Sequence, residues 1–406
     1  MPKISRRHFL RFAGLSSFSL FSLGKNTGKN HPVPQTKMEI LSSHDPWVEL
    51  NLEHLAWNLA QIRRLVKVPV MAVIKANAYG HGLVEVGMHL EKCGIDYLMV
   101  GKLQEALALR KAGVTSPILN FGTFGQEEAE AVIENYITQS VFDESVSILN
   151  LAAQKRGKKA KVNIHVDTGM GRMGIPYQNA FPFIEKVSSM NHLLIKGIST
   201  TLTEDDDFDR EQLARFLGLG EKAEAKGISL GRKHSASSDG IMDLASSYLD
   251  MVRPGIMLYG YYPSDKTQEE DRLSLKPVLQ LKSRVVAVKT LRPGDTLSYH
   301  RKYTALEKEK IAVLPVGYSD GYPAEAVNKA SVLIRGKRHP LIAAVTANHT
   351  IALLDRKSKV EVGDEVVFLG TQGGENISAV DIGRWADVSS YKVLIGLNPL
   401  LPRKIV

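Results

Sequence analysis

A regular alternation runs through the chain between residues 68 and 259. Stretches with helical spacing separate eight short apolar runs, which are Val68–Ala76, Tyr97–Gly101, Ile118–Gly122, Ile137–Val141, Ala160–Asp167, Leu193–Thr200, Leu230–Ser235 and Met251–Tyr259. Continuous apolar runs of this length are typical of parallel strands that are buried on both faces. Eight such strands alternating with helices favour a (β/α)8 barrel of the TIM type over an open sheet.

The pattern changes after about residue 263. Runs rich in β-branched residues, joined by turns such as Pro293-Gly294-Asp295, replace the alternation, and little helical spacing remains. These runs are Val278–Thr290, Ile311–Gly317, Ala330–Leu341 and Lys359–Leu369. The sequence therefore predicts an α/β chain with a barrel domain at 47–265 and a C-terminal β-rich domain at 266–406.

The first 46 residues differ from the rest in charge. They hold seven Lys/Arg and two Asp/Glu of the chain's 52 and 43, which leaves 45 against 41, or +4, for the remainder. A balance so close to neutral, without basic runs that contain aromatic residues, excludes a nucleic-acid footprint. The single cysteine, Cys93, excludes an internal disulfide and a cysteine-rich metal site, and we expect no metal.

The segment from Ser5 to Arg11, Ser-Arg-Arg-His-Phe-Leu-Arg, resembles the bacterial twin-arginine export motif. A serine-rich apolar stretch at 12–23 follows, too short to span a bilayer stably, and a polar linker continues to about residue 46. The resemblance implies export to the periplasm, with no membrane span in the mature chain. Because no Ala-x-Ala cleavage site follows, retention of the leader as an anchor is the alternative to cleavage.

Lys75 ends the first apolar run, and the string Val-Ile-Lys-Ala-Asn-Ala-Tyr-Gly-His-Gly spans 73–82. A lysine at the carboxyl end of a barrel strand lies where such barrels carry their chemistry, and desolvation there makes it a nucleophilic amine. A lone lysine would more often snorkel to solvent. The ten-residue string resembles the cofactor lysine motif of alanine racemases. This resemblance implies that Lys75 holds pyridoxal 5'-phosphate as a Schiff base and that Tyr79 reaches the cofactor phosphate.

Three further motifs resemble segments of the same family. They are His165-Val-Asp-Thr-Gly-Met-Gly-Arg-Met-Gly174, His234-Ser-Ala-Ser-Ser238 and Met251-Val-Arg-Pro-Gly-Ile-Met-Leu-Tyr-Gly260. The resemblance implies that Arg172 contacts the cofactor's phenolic oxygen and the substrate carboxylate. It implies that Ser238, Gly255 and Ile256 bind the phosphate, and that Arg253 faces the pyridine nitrogen.

Two tyrosines complete the implied site. Leu297-Ser-Tyr299 and Pro315-Val-Gly-Tyr318 match family segments. Racemisation needs a base on each face of the substrate Cα. The resemblance implies that Tyr299 supplies one face from the other subunit of a homodimer, that Lys75 supplies the second, and that Tyr318 lines the substrate channel.

The chain departs from the family pattern at five residues, which are His165, Thr201, Ala347, Asn348 and Pro399. They replace, in order, a lysine that is often carbamylated, a histidine, a substrate-bordering Met-Asp pair and a late tyrosine. A short aliphatic residue and an amide in place of Met-Asp should enlarge and neutralise the substrate pocket. We therefore expect side chains larger than that of alanine to be accepted, and the other losses to lower activity.

The resemblance covers residues 47–406 and places the first strand, 48–52, in the β-rich domain. It favours an exported racemase of small amino acids that supplies D-alanine or other D-amino acids for the cell wall. One alternative is a D-amino-acid lyase or decarboxylase of the same fold, which an arginine at the pyridine nitrogen disfavours. Another is a protein that still binds pyridoxal phosphate but has lost turnover, which the five departures keep open.

Overall fold

The structure is a computed structural model that describes residues 45–270 and 272–406. The predicted export leader lies outside the described residues. Twenty strands are described: β1 Trp47–Leu50, β2 Met71–Val73, β3 Tyr97–Val100, β4 Ile118–Asn120, β5 Thr138–Val141, β6 Ala160–Asp167, β7 Ile175–Pro176, β8 Leu193–Ser199, β9 Arg232–His234, β10 Leu279–Arg284, β11 Ala287–Leu291, β12 Thr296–Leu297, β13 Tyr303–Thr304, β14 Glu309–Leu314, β15 Ser331–Ile334, β16 Lys337–Ile342, β17 Thr350–Leu354, β18 Glu365–Gln372, β19 Glu375–Ile377 and β20 Arg403–Ile405.

Twelve α-helices accompany these strands in the described ranges: α1 Leu52–Val66, α2 Lys75–Tyr79, α3 Leu83–Lys92, α4 Leu103–Lys111, α5 Ala129–Glu134, α6 Ser145–Lys155, α7 Tyr177–Ser188, α8 Asp206–Ala225, α9 Ser238–Asp243, α10 Asp265–Glu269, α11 Ala379–Ala386 and α12 Ser390–Gly396. Short 3-10 helices include Ile256–Tyr259, Tyr299–Arg301 and Tyr318–Asp320. No helix of this part of the chain is both long and apolar enough to cross a membrane.

The first domain is the predicted parallel barrel. Strands β2, β3, β4, β5, β6, β8 and β9 are hydrogen-bonded in that order, all parallel, and short β7 adds to β6. Helices alternate with these strands along the chain. This arrangement confirms the fold class and brings the carboxyl ends of the strands to one end of the barrel, where barrel enzymes place their active sites.

The eighth barrel position is shorter than predicted. Val252 forms an isolated parallel bridge with Val70, and the Met71 N–H donates to Val252 O at 2.8 Å, which joins the last position to the first. The predicted strand 251–259 is wrong beyond this point, because Ile256–Tyr259 is a 3-10 helix. The Val73 N–H still donates to Pro254 O at 2.9 Å, but Pro254 has no N–H to donate in return, and the chain enters the 3-10 helix two residues later.

The second domain is built on one long mixed sheet. Its order is β11-β14-β17-β16-β15-β18-β10-β1-β20, with β19 paired to β18. β1 pairs antiparallel with β10 (Trp47 with Lys282) and parallel with β20 (Val48 with Arg403). The first strand of the described chain thus lies in the β-rich sheet, and α1 leads from it to the barrel.

Two helices, α11 and α12, interrupt the β-rich domain where little helical pattern was expected. Ser378 caps α11: its Oγ accepts a hydrogen bond from the Asp381 N–H at 3.0 Å, and the Asp381 carboxylate accepts from the Ser378 N–H at 2.8 Å. This reciprocal pair is a capping box. The serine-to-aspartate spacing was therefore a readable signal for the helix that the strand-based prediction missed.

Candidate active site

Lys75 follows β2 directly and lies among charged groups at the carboxyl end of the barrel. It retains accessible surface, yet the surrounding protein lowers the pKa of its amine, mainly through desolvation and then through the positive charges of Arg172 and Arg253; Glu105 opposes the shift. A lowered pKa increases the fraction of free amine, which is the nucleophilic form. The structure therefore brings together the three cations that the sequence predicted for one site.

The four residues after Lys75 follow an unusual backbone path. Ala76, Asn77, Ala78 and Tyr79 all have φ between 52° and 55°, so this part of α2 is a left-handed turn. Each non-glycine residue in that region costs about 1–2 kcal/mol. Surrounding contacts hold the turn, since the Asn77 N–H donates to a Glu105 carboxylate oxygen at 3.1 Å and the Asn77 side chain accepts from the Leu83 N–H at 2.9 Å. Strain held in this way is concentrated at functional sites.

Glu105 is a site residue that the sequence analysis did not single out. Its carboxylate also accepts from the N–H groups of Gly101 at 3.0 Å and Lys102 at 3.2 Å. Glu105 lies three residues after Lys102, at the position where a capping-box glutamate stands at the start of α4. That spacing could have identified Glu105 as a helix cap, but not as a support for the turn after Lys75.

Ser238, Gly255 and Tyr79 form a small polar cradle beside the lysine. Ser238 Oγ accepts from the Gly255 N–H at 2.9 Å. A Cβ placed on Gly255 would lie only 2.6 Å from Tyr79 Oη, so the tyrosine hydroxyl reaches the same point. Burial, with the nearby charge of Glu204, raises the pKa of Tyr79 to about 12, and the hydroxyl therefore stays protonated. Ile256 begins the 3-10 helix directly after this cradle.

The Gly255→Ala substitution is expected to weaken binding of pyridoxal phosphate to the protein stripped of cofactor. The added methyl would collide with Tyr79 Oη, and the buried Tyr79 ring packs 5.0 Å from Tyr259, so it cannot move freely. Absorbance titration measures the affinity. Gly218→Ala is the control, because nothing lies within 4 Å of a Cβ there. Equal affinities for the two variants would show that the cradle takes no part in binding.

Arg253 is buried and is held by four hydrogen bonds. Its Nη1 donates to His234 Nδ1 and to His234 O, each at 2.7 Å, while Nη2 donates to Thr200 O at 2.6 Å and to Ser235 O at 2.9 Å. Burial lowers the pKa of Arg253 to about 10, so the guanidinium remains charged at neutral pH. His234 was part of a quoted motif, but its contact with Arg253 was not predicted.

Arg172 lies in the glycine-rich loop after β6 and is exposed. Asp167 shapes this loop, because its Oδ1 accepts from the N–H groups of Gly169 at 2.9 Å and Gly171 at 3.1 Å. Within the described residues, the Arg172 guanidinium has neither a hydrogen-bond nor an ion-pair partner. A free cationic fork whose charge acts on Lys75 is suited to binding a carboxylate.

His165 and His81 are buried and uncharged. Burial, aided by the charges of Arg253 and Arg403 respectively, lowers the pKa of His165 to about 3 and that of His81 to about 4. In an unfolded chain both would titrate near 6.5, so below that pH the unfolded state binds protons that the folded state does not. Their contribution to stability is therefore present above about pH 6.5 and is lost as the pH falls towards 4.

We expect the free energy of unfolding to fall on acidification by up to about 1.4 kcal/mol per pH unit for each of these histidines. Urea unfolding at pH 7, 6 and 5 measures the slope. His81→Asn should reduce this slope, whereas the exposed His300→Asn should leave it unchanged. Identical slopes for the two variants would contradict the assignment of His81 as a neutral buried group.

Tyr299, Tyr318 and Ala347 form a group of predicted site residues that does not include the lysine. They line a cavity of about 210 Å³ in the β-rich domain, together with Ser298, His300 and residues 344–346. Tyr299 is 76% exposed and Tyr318 is 58% exposed. Within one chain, this cavity includes none of the residues that surround Lys75, so the structure shows two separate groups of predicted site residues.

Asn348 and Pro399 do not join either group. The Asn348 side-chain amide donates to Ser319 Oγ at 2.9 Å, and Asn348 lines a different cleft of about 420 Å³. Pro399 is exposed, and its carbonyl accepts from Arg403 at 2.8 Å. The tyrosine that does pack against the cradle is Tyr391 of α12, whose ring centre lies 5.9 Å from that of Tyr79.

Comparison with known proteins identifies the family. The model of the alanine racemase N-terminal domain matches residues 50–263, and that of the alanine racemase C-terminal domain matches residues 278–405. Alanine racemase 2 of Caldanaerobacter subterraneus subsp. tengcongensis is 39% identical over 88% of this chain and 93% of its own length. Alanine racemase of Symbiobacterium thermophilum is 36% identical over 90% of this chain and 98% of its own length.

Solved structures agree with these relatives. Alanine racemase of Clostridium difficile 630 is 34% identical with a TM-score of 0.84, and the match covers 89% of this chain and 95% of that one. The Bacillus anthracis alanine racemase with bound L-Ala-P is 29% identical with a TM-score of 0.83 over the same shares of the two chains. Together with the two domains and the lysine site, these matches show that the chain belongs to the alanine racemase family.

Proposed function

We propose that the protein interconverts L- and D-alanine with pyridoxal phosphate bound covalently at Lys75. The observation that carries this proposal is the position of the Lys75 amine, at the carboxyl end of β2, with its pKa lowered by desolvation and by the charges of Arg172 and Arg253. The membership of the chain in the alanine racemase family supports the same reaction.

The residues present fit the cofactor. Lys75 supplies an amine for the aldehyde, and the cradle of Ser238, Gly255 and Tyr79 supplies hydroxyl and amide donors for a phosphate. A side chain at Gly255 would fill the space between the backbone and Tyr79 Oη, which accounts for the glycine there. When bound, the cofactor supplies an electron sink that acidifies the substrate Cα–H.

Arg253 sets the kind of reaction that the site favours. Its guanidinium holds its protons too strongly to transfer one to a ring nitrogen that it faces, so it can only donate a hydrogen bond there. A weaker electron sink suits the removal and return of one proton more than the breaking of a carbon–carbon bond. A site with this arginine favours racemisation over the lyase and decarboxylase alternatives.

Arg172 and Lys75 would share the handling of the substrate. The unpaired guanidinium of Arg172 can hold the substrate carboxylate and so fix one face of Cα towards the Lys75 amine. Lys75, once free of the cofactor, can remove or return the proton on that face. The opposite face needs a second base, for which we propose Tyr299 of the other subunit of a homodimer.

A proton-exchange assay tests the function directly. The purified protein, loaded with cofactor, is incubated with L-alanine in D₂O, and deuterium at Cα and the appearance of D-alanine are measured. The proposal predicts both. Cofactor binding without exchange would instead establish that the protein binds pyridoxal phosphate but has lost turnover. The presence of His165 and Thr201 in place of a family lysine and histidine supports this alternative.

The substrate range is expected to extend beyond alanine. Ala347 lines the cavity with Tyr299 and Tyr318, and its short side chain leaves space there. Asn348 carries no charge, and its amide is held by Ser319. We predict measurable racemisation of L-serine and longer aliphatic L-amino acids, and a narrower range in the Ala347→Met variant. Ala330→Gly is the control for a nonspecific effect of altered packing, because Ala330 is buried and lies outside this cavity; it should not change the substrate range. Strict preference for alanine would contradict the prediction.

We also propose that the protein acts outside the cytoplasm and supplies D-amino acids for the cell wall. The proposal rests on the Arg6-Arg7 export motif and on the apolar stretch at 12–23. Replacement of both arginines by lysine should leave the protein in the cytoplasmic fraction, whereas Lys3→Arg should not. Equal periplasmic amounts of the two variants would overturn this localisation.

A further inference from the structure

A continuous chain of hydrogen-bonded side chains crosses the interior of the barrel. His234 Nε2 lies 2.9 Å from Asn163 Oδ1, and Asn163 Nδ2 lies 2.8 Å from Ser199 Oγ. Ser199 Oγ in turn lies 3.0 Å from His165 Nδ1. With the bond between Arg253 Nη1 and His234 Nδ1 at 2.7 Å, the chain links five buried residues on β6, β8, β9 and the eighth barrel position.

Arg253 fixes the direction of the hydrogen bonds from its own guanidinium as far as Ser199. A guanidinium can only donate, so His234 Nδ1 must accept, and the proton of the neutral imidazole is on Nε2. That proton is donated to Asn163 Oδ1, which leaves the Asn163 NH₂ group to donate to Ser199 Oγ. Among the described residues Ser199 Oγ has only these two partners, so its buried hydroxyl proton is left unpaired unless it is donated to His165 Nδ1.

Both histidines are therefore held neutral as the Nε2–H tautomer. The charged groups that act on them are Arg253, Arg172, Arg232 and Asp167. Burial lowers the pKa of His234 well below its usual value, and the charge of Arg253 lowers it further, which agrees with a neutral ring. A protonated His234 would carry an N–H on Nδ1 and lose the bond from Arg253.

We propose that Asn163 is a positioning residue, whose amide accepts from His234 and donates to Ser199. It thereby carries the proton arrangement set by Arg253 on to His165 and keeps both imidazoles neutral beside the cations Arg253 and Arg172. An amide is suited to this task because it accepts on one side and donates on the other. His234 then holds the guanidinium of Arg253, and His165 places no anion beside Arg172. The effect of Asn163 on racemisation rests on the proposed function, whereas the tautomers of His234 and His165 can be measured independently of any activity.

The Asn163→Asp substitution tests the proposal, because it keeps the shape and removes the donor. A carboxylate would accept from His234 Nε2–H and from the Ser199 hydroxyl. Ser199 Oγ would then accept from His165 Nδ1, so the proton of His165 would move from Nε2 to Nδ1. In ¹⁵N NMR spectra of histidine-labelled protein, assigned with His165→Gln, we expect the two ring nitrogens of His165 to exchange their protonated and unprotonated shifts.

The unsubstituted protein is itself decisive, whether or not the variant folds. At pH 7 its His165 must be neutral with the proton on Nε2; a protonated ring or an Nδ1–H tautomer overturns the proposal. Ser199→Ala should change the shifts of His165 and leave those of His234, since only one arm of the chain is cut. Asn135→Asp is the control, because Asn135 ends the helix Ala129–Glu134 and is not one of the five hydrogen-bonded residues. It should leave the ¹⁵N shifts of both histidines unchanged.

Activity gives a separate readout. In Asn163→Asp the new negative charge favours protonation of His234, which would push Arg253 aside and lower kcat on the order of a hundredfold. An additional ionisation should appear in the pH profile of kcat. A folded variant with the tautomer of His165 unchanged contradicts the proposal, whereas a tautomer exchange in a protein that never racemises alanine supports it and refutes only the proposed function.

Discussion

Lys75→Ala is expected to abolish covalent retention of pyridoxal phosphate and to reduce racemisation by about 10⁴-fold or more, because one residue supplies both the anchoring amine and one of the two bases. The unsubstituted protein, treated with borohydride, should carry the reduced cofactor on the peptide that contains residue 75. The variant should carry none, although the cradle of Ser238, Gly255 and Tyr79 can still bind the cofactor reversibly.

Lys102→Ala is the matched control, because Lys102 is an exposed lysine that follows the neighbouring strand β3. It should label and racemise as the unsubstituted protein does. Lys75→Arg separates charge from nucleophilicity, since arginine keeps the positive charge but offers no free amine. Borohydride labelling at another lysine in the unsubstituted protein, or racemisation by Lys75→Arg at a normal rate, would contradict the role given to Lys75.

The sequence predicted those parts of the site that are contiguous along the chain. The apolar runs determined the barrel strands, and Lys75 was placed at a strand end by the run that precedes it. Arg172 and Arg253 follow other strands of the same barrel, and parallel strands bring their carboxyl ends to one face. The convergence of these three cations on one site therefore follows from topology, and the effect of both arginines on the pKa of Lys75 agrees with it.

Features that depend on contacts between distant residues were not predictable. The left-handed turn at 76–79 contains two alanines, which carry no signal for positive φ, and is held by Glu105 from another element. The hydrogen-bonded network from Arg253 to His165 joins residues up to 90 positions apart. In the sequence, each of its polar residues within a barrel strand is a single departure from an otherwise apolar pattern, with no sign of its partner. The bond of Asn348 to Ser319 likewise depends on a turn that the pattern could not define.

The eighth barrel position shows why a continuous apolar run can mislead. Residues 251–259 are almost all apolar, and this suggested one long strand. The hydrogen bonds to the first strand extend only to Pro254 O, and the chain then turns into a 3-10 helix at Ile256. This early end to the strand places the N–H of Gly255 on Ser238 Oγ, and thus forms the cradle. The local departure from regular structure is what builds the binding feature.

Tyr299→Phe is expected to suppress racemisation by about 10²–10⁴-fold, the usual contribution of a positioned acid or base. The side chain is 76% exposed, and its cavity contains none of the residues around Lys75. Its role therefore depends on a second subunit that brings this surface to the lysine. Tyr136→Phe, at another exposed tyrosine in the barrel domain, should have no effect.

Stereochemistry distinguishes loss of one base from general damage. If Lys75 serves one face of Cα and Tyr299 the other, the variant should still exchange the α-proton of one alanine enantiomer in D₂O, without inverting it, while exchange of the other enantiomer stops. Equal loss of exchange for both enantiomers would show that Tyr299 is not a base for a single face.

A mixture of the two inactive variants then tests the shared site. When Lys75→Ala and Tyr299→Phe subunits exchange partners, each heterodimer has one site that lacks both groups and one that has an intact lysine from one subunit and an intact tyrosine from the other. Activity should therefore reappear on mixing. If Tyr299 acted on the lysine of its own chain, each site of the heterodimer would still lack one group, and mixing would restore nothing, which would remove the need for a dimer in the proposed mechanism.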